Sequence, residues 1–281
     1  MRPHVFTDAA LPQREIANPI TRIITVLKRP LVVAYGVACY AVFLATFLYA
    51  VGFIANVVVP RSIDSPPVGD FTTSVVIDLA LLLLFAVQHS GMARGGFKRW
   101  ITRFIPAAAE RSTYVLVASV VLAALFVLWQ PLGGVVWSVD APVARGALYA
   151  LCAFGWLTVL AATFFINHFD LFGLRQVWLY LRREPYTPVA FKTPGLYRLV
   201  RHPLYAGFIF AFWATPDMTV AHLLFALATT GYILIAIQFE ERDLLATLGD
   251  AYRDYRNRVP MIIPFLRAGR ARNPGKARLS T

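Results

Sequence analysis

The chain has 281 residues, 58% of them hydrophobic and only 15% charged, where an ordinary soluble domain is nearer one quarter charged. With a net charge of +12, that composition excludes a soluble globular domain and leaves nucleic acid or a membrane surface as partner for the basic residues. Their distribution along the chain decides between the two.

Residues 1–30 are polar and basic with no small-residue cleavage pattern after them, so they read as a cytoplasmic N-terminal segment and not as a signal peptide. Charge-poor apolar runs follow at 32–59, 75–87, 114–129, 146–166, 204–215 and 220–239. A helix needs about 20 apolar residues to cross a hydrocarbon core of about 30 Å. The first, fourth and last runs suffice alone, and the second and third suffice with their flanking Thr, Ser and Trp. The short 204–215 run, with Pro216-Asp217 and the run behind it, forms a tight helical hairpin. The expected fold is therefore all-α, a polytopic transmembrane bundle of five to six helices, the last two a hairpin. The expected organisation is a segment 1–30, a transmembrane scaffold 31–142, a core 143–264 carrying the site, and a basic, disordered tail 265–281.

If the N-terminus is cytoplasmic and each run crosses once, Lys and Arg fall before the first run, in 94–111, in 175–201 and from Arg242 on. All these stretches are on the inner side, and only Arg61 and Arg145 are left outside. This asymmetry predicts both termini in the cytoplasm. The basic charge is then topological, with membrane lipids its natural partner and no nucleic acid expected. Cys39 and Cys152 lie inside apolar runs and read as small core residues. Asp78 also lies inside a run, where an acid marks either a functional site or a hydrogen bond between helices. Residues 61–70 make a short outer loop, residues 88–93 end the second helix, and 97–104 form an interfacial segment.

After the fourth run come about 40 residues of mixed polar and aromatic chain, too long and too aromatic for an idle connection. They end in "TPGLYRLVRHPLYAGF", where Arg198, Arg201 and His202 precede a helix with Pro203 in its first turn. The unpaired N–H groups of such a turn receive an anion or polar ligand, and Gly207 permits close approach to the helix. Glu240 and Glu241 return to the same face. The plainer explanation is flanking positive charge with a satisfied ion pair. Beyond them Leu244, Leu248, Tyr252, Tyr255 and Val259 recur at helical spacing, which predicts one amphipathic helix.

The stretches "GLYRLVRHPLYAG" and "EERDLLATLGDAYRDYRNRVPMIIP" together resemble the C-terminal signature of membrane methyltransferases related to isoprenylcysteine carboxyl methyltransferase and phospholipid methyltransferases. "QHSGMARGGFKRW", "ERSTYVLVASV" and "WQPL" resemble the nurim family, and with "NHFDLFGLRQVWLY" the chain is similar to bacterial methanethiol S-methyltransferases. The resemblance implies an S-adenosyl-L-methionine site on the cytoplasmic side, lined by Tyr197, Arg201, His202, Pro203, Tyr205 and Gly207 and closed by Glu240 and Glu241. It implies a small volatile thiol as acceptor, methanethiol to dimethyl sulfide first and hydrogen sulfide second, in a bacterial inner membrane. A non-catalytic nurim-like protein and a lipid or isoprenylcysteine methyltransferase are the alternatives. No glycine-rich nucleotide fingerprint is present.

"NHFD" supplies an expected general base, His168, with Asp170 to orient it. Two residues apart on a regular helix they point away from each other, so their pairing requires a helix end there. Otherwise His168 pairs with Glu240, or Asp170 with an arginine. A metal set from His168, Asp170, His202, Glu240 and Glu241 is the weaker alternative, and no metal is expected.

Overall fold

The computed structural model describes residues 19–264, with side chains from Lys28 onward. The expectations for residues 1–18 and for the tail 265–281 lie outside the described residues. In chain order the elements are α1 (Pro19–Ala55), α2 (Phe71–Ala93), α3 (Gly95–Ile101), α4 (Glu110–Leu128), β1 (Val135–Ser138) and α5 (Pro142–Ile166). There follow α6 (His168–Leu171), α7 (Leu174–Arg182), α8 (Pro203–Trp213), β2 (Asp217–Thr219), α9 (Val220–Leu248) and α10 (Asp250–Arg258). Lys28–Ala55 of α1, Ala107–Leu128 with α4, and all of α2, α5 and α9 are long and apolar enough to cross a membrane; α8 is shorter. Local chemistry sets several boundaries. Asp70 caps α2 by accepting from the Thr73 amide at 3.0 Å, Thr219 caps α9 by accepting from the His222 amide at 3.1 Å, and Pro142 and Pro203 start α5 and α8.

The helices pack through small residues and polar links, since lipid supplies no hydrophobic drive between them. The closest approach is between α5 and α8. A Cβ on Gly155 would stand 2.7 Å from the Gly207 carbonyl oxygen, and one on Gly207 would stand 2.7 Å from the Gly155 carbonyl oxygen. Tyr35 bonds Thr113 at 2.9 Å between α1 and α4. Asp78, fully buried, accepts from the Gln130 amide at 2.8 Å and so ties α2 to the end of α4. Large apolar side chains such as Leu31, Leu83, Phe154, Leu157 and Ile235 point outward, as a lipid-facing bundle requires. Both cysteines are buried and free.

One end of the bundle is closed by a feature the sequence did not announce. β1 and β2 pair antiparallel, Val135 with Thr219 and Ser138 with Asp217. Arg145 and Ser138 bond the Asp217 carboxylate at 2.7 and 2.6 Å and hold it below the usual carboxylate range. Beneath the strands Phe53, Ile63, Leu125, Trp129 and Phe225 belong to the larger buried apolar cluster.

At the opposite end two expectations need correction. The long segment after α5 is not irregular throughout, since it folds into α6, α7 and a 3-10 turn at Gly195–Arg198. The amphipathic stretch from Glu240 is not one helix. α9 runs straight through Glu240 and Glu241 to Leu248, and Gly249 (φ 56°) breaks it before α10. With that break α10 folds back and buries Tyr252 and Tyr255.

Candidate active site

At this end the chain holds the Arg201–His202 backbone with its own C-terminal segment. The Arg201 amide donates to the Pro260 carbonyl at 2.8 Å and the His202 amide to that of Met261 at 3.1 Å. The Tyr255 hydroxyl donates to the Tyr197 carbonyl at 2.7 Å. α10 therefore clamps the start of α8.

Inside the clamp sits Glu241, only 4% exposed. Its Oε1 accepts from Arg201 Nε at 2.7 Å and His202 Nε2 at 3.1 Å, and Arg256 Nε lies 3.2 Å from its Oε2. Arg201 Nη1 donates to the carbonyls of Arg256 and Val259, and Nη2 also lies 2.7 Å from Glu241 Oε1. Two expected cofactor groups, Arg201 and Glu241, are thus consumed by each other, and their geometry is that of a structural ion pair. Gly207 is likewise taken, by Gly155 of α5, and Pro203 is fully buried at the first turn. These four support the site without presenting a free polar group to it.

Glu240, one residue earlier and 100° around the helix, faces the other way. Its side chain is 45% exposed and lies 3.9 Å from His202 Nδ1, with Tyr197 and Tyr205 as neighbours. The rings of His202 and Tyr205 are 5.7 Å apart. Tyr252, close to Glu240, has a buried hydroxyl with no partner in the protein, and burial pushes the Tyr197 and Tyr252 phenols well above their usual range. Beside Glu240 are thus an imidazole nitrogen and aromatic rings, with the orphaned Tyr252 phenol buried nearby between Glu241 and Glu240.

The second expected pair is separated. α5 stops at Ile166, Asn167 accepts from the Asp170 amide at 3.1 Å, and α6 restarts at His168. His168, 5% exposed, turns into the bundle, with Nδ1 2.8 Å from Thr163 Oγ1 and Nε2 2.8 Å from the Tyr40 hydroxyl. Asp170 turns away to Arg175 at 2.8 Å and Tyr186 at 3.2 Å. The expected His168–Asp170 pairing is absent because the new helix points residues two apart in different directions; Asp170 takes an arginine. Burial lowers the His168 pKa and keeps the ring neutral.

The two clusters share a lining that sequence reasoning missed. Phe172 and Phe43 stack at 3.9 Å beside Tyr40 and His168, and both pack on the cluster of Met92, Tyr114 and Val115. The Tyr114 hydroxyl is 2.9 Å from His89 Nε2, and Ser90 bonds Tyr232 at 3.0 Å. Tyr232 and Tyr114 in turn neighbour Tyr205. A chain of polar and aromatic side chains therefore runs from Glu240 to His168 through α8, α9, α2, α4 and α1. The polar letters of "QHSGM" and "ERSTY" were its only trace in the sequence; Tyr40 and Thr163 had none. Among the described residues no group of three His, Cys, Asp or Glu side chains is placed to hold a metal ion.

Fold and side-chain clusters together define a multi-pass helical membrane protein in which a clamped helix start lies beside a cluster of polar and aromatic residues. The chain is 58% identical over 239 residues to methanethiol S-methyltransferase of Mycobacterium tuberculosis, covering 85% of this chain and 98% of that one. It is 55% identical over 240 residues to the protein of that name from Crocosphaera subtropica, covering 85% and 94%. Nurim of Sus scrofa is more distant, at 31% over 176 residues, 59% of this chain and 66% of that one. The chain belongs to the methanethiol S-methyltransferase family. No family model and no solved structure matches it.

Proposed function

We propose that the protein transfers a methyl group from S-adenosyl-L-methionine to a small thiol, converting methanethiol to dimethyl sulfide, with hydrogen sulfide as a second acceptor. The observation that carries the reading is the juxtaposition of a half-exposed carboxylate, Glu240, beside the start of α8 with an aromatic cluster that encloses the His168 imidazole. The residues fit the cofactor's needs. Glu240 accepts from ribose hydroxyls, the orphaned Tyr252 hydroxyl donates, and the rings of Tyr197 and Tyr205 meet the adenine or the sulfonium. Arg201 is not available for the cofactor's carboxylate. Arg256, with a 47% exposed side chain, is the cation beside the same carboxylate cluster that takes that part.

When bound, the cofactor supplies an electrophilic methyl on a positive sulfur. The protein's share is to hold it, exclude water and leave the acceptor sulfur deprotonated. A simple thiol is largely protonated at neutral pH, since even cysteine has a pKa of about 8.5, and the thiolate is the nucleophile. His168 is the imidazole for that proton. Asp170, bound to Arg175, steadies the α6–α7 turn instead of orienting the base. In this reading the site faces the cytoplasm, both termini lie there, and the membrane is a bacterial inner membrane.

The test is direct. Purified protein in detergent is incubated with S-adenosyl-L-methionine and methanethiol, and dimethyl sulfide is measured in the headspace. Absence of product, with calorimetry showing no cofactor binding, would sink the reading.

A further inference from the structure

The hydrogen bonds around His168 determine where its protons are. The Thr163 hydroxyl donates to the Leu160 carbonyl at 2.7 Å. Its single proton is spent, so toward the ring it can only accept, and His168 Nδ1 at 2.8 Å must carry the hydrogen. In a neutral ring Nε2 then has the lone pair, and the Tyr40 hydroxyl at 2.8 Å must donate to it. Tyr40 is thereby left with a phenol oxygen whose lone pairs face away from the imidazole. Tyr40 is a half-buried residue, and Phe43 and Phe172 stand beside its ring at 5.9 and 6.2 Å between centroids.

Around the imidazole stand Tyr40 from α1, Thr163 from α5, and the rings of Phe164, Phe169 and Phe172, at 4.3, 5.5 and 4.8 Å. The nearest charges along the chain, Asp170 and Arg175, are bound to each other. Buried at 5% exposure, His168 cannot meet a substrate directly without displacing Tyr40.

We infer that Tyr40 is the group that contacts the acceptor thiol and relays its proton to His168, and that Thr163 is the positioning residue that locks the imidazole tautomer. The inference rests on the thiol-methylation reading. In the step, the S–H bond breaks as a new O–H bond forms on Tyr40. The original Tyr40 O–H bond breaks as an N–H bond forms on His168 Nε2. The S–H electron pair stays on sulfur as thiolate, and the imidazole takes the positive charge. Tyr40 ends as it began, a neutral phenol, so the aromatic cluster never holds a phenolate. Aromatic edges and faces also suit a small sulfur.

The experiment begins without cofactor or thiol. Protein labelled with ring-15N histidine is examined by NMR, the His168 signals being assigned by their loss in His168→Gln. The expected result is a protonated Nδ1 and an unprotonated Nε2. A proton on Nε2 overturns the inference, and this readout needs no Tyr40 variant to fold. Tyr40→Phe is then expected to keep the Nδ1–H tautomer and cofactor affinity while losing about 100-fold in kcat at pH 7. It should recover as pH rises and solution thiolate replaces the relay. Thr163→Val should mix the tautomers and lower kcat, and Thr163→Ser should restore both. Wild-type turnover matched by Tyr40→Phe at pH 7 overturns the Tyr40 assignment alone. A wild-type protein that methylates no thiol overturns the functional reading and the relay with it.

Discussion

Glu240 and Glu241 are adjacent and chemically identical, yet the fold gives them opposite tasks. Buried Glu241 gathers the buried Arg201 and His202 and the half-exposed Arg256, and removing the acid leaves buried charge uncompensated, costing about 3–5 kcal/mol. Glu241→Ala is therefore expected to lower the thermal midpoint of the detergent-solubilised protein sharply. Glu240→Gln should leave the midpoint within experimental scatter and weaken S-adenosyl-L-methionine binding by about 10-fold or more, read by calorimetry. Equal thermal losses in the two variants would remove the division of labour. His168 adds a pH dependence. Its folded pKa is depressed below the ordinary 6.5 by burial, so the unfolded chain binds the extra proton first. Its contribution is present above 6.5 and is lost as pH falls below 6.5 toward the folded pKa. In His168→Gln the thermal midpoint should fall less steeply between pH 7 and pH 5 than in the wild type.

At the level of elements, the α5–α8 contact and the α9–α10 break both depend on single glycines, for different reasons. At Gly155 the obstacle is space, because a Cβ would meet the Ala211 amide nitrogen at 2.6 Å and the Gly207 oxygen at 2.7 Å. Gly155→Ala should force α8 away and cost about 1–3 kcal/mol. At Gly249 a Cβ would meet nothing within 4 Å, but φ 56° with ψ −126° excludes side-chain-bearing residues. Gly249→Ala should straighten the α9–α10 junction and free the Arg201 clamp, which increased proteolysis near residue 249 would report. The long helices were legible because an apolar run states its own length. β1 and β2 were not, since four and three residues carry no periodicity and their pairing depends on chain ends about 80 residues apart. The break at Gly249 was visible as a letter, but the recurring apolar spacing across it argued for continuity.

For the molecule as a whole, the sequence showed which residues would gather at one end more clearly than which contacts each makes there. The cationic motif and paired acids do converge at one end, but which carboxylate turns inward is decided by how α10 docks, and that is a property of the tertiary fold. Tyr40 is farther still from its partner along the chain, 128 residues from His168, and nothing near it marks the meeting. Charge asymmetry predicts an orientation that labelling can test. If 175–201 is cytoplasmic, a cysteine introduced at Thr193 should react with an impermeant maleimide in inside-out vesicles and stay silent in intact cells. The native thiols, both buried, do not interfere. Labelling in intact cells would invert the topology.

The shortness of α8 has a consequence for substrate selection. Its 11 residues rise about 16 Å, half of a hydrocarbon core of about 30 Å. Its Pro203 end meets Glu240 and Glu241, 20 residues along α9 from the strand cap, so the motif lies toward the far face of the bundle and only α8 itself lies at hydrocarbon depth. If the acceptor is the volatile thiol proposed above, it reaches the aromatic cluster from the oil phase, and its effective concentration is set by partition before any side chain touches it. Each added methylene favours that partition by about 0.8 kcal/mol, or about fourfold. In a series of methanethiol, ethanethiol and propanethiol, KM in aqueous concentration should fall about fourfold per carbon, while KM in membrane concentration stays level until the aromatic walls refuse the longer chain. Preference among thiols would then belong partly to the bilayer, and a strain that changed its lipids would change its enzyme's apparent taste without altering one residue.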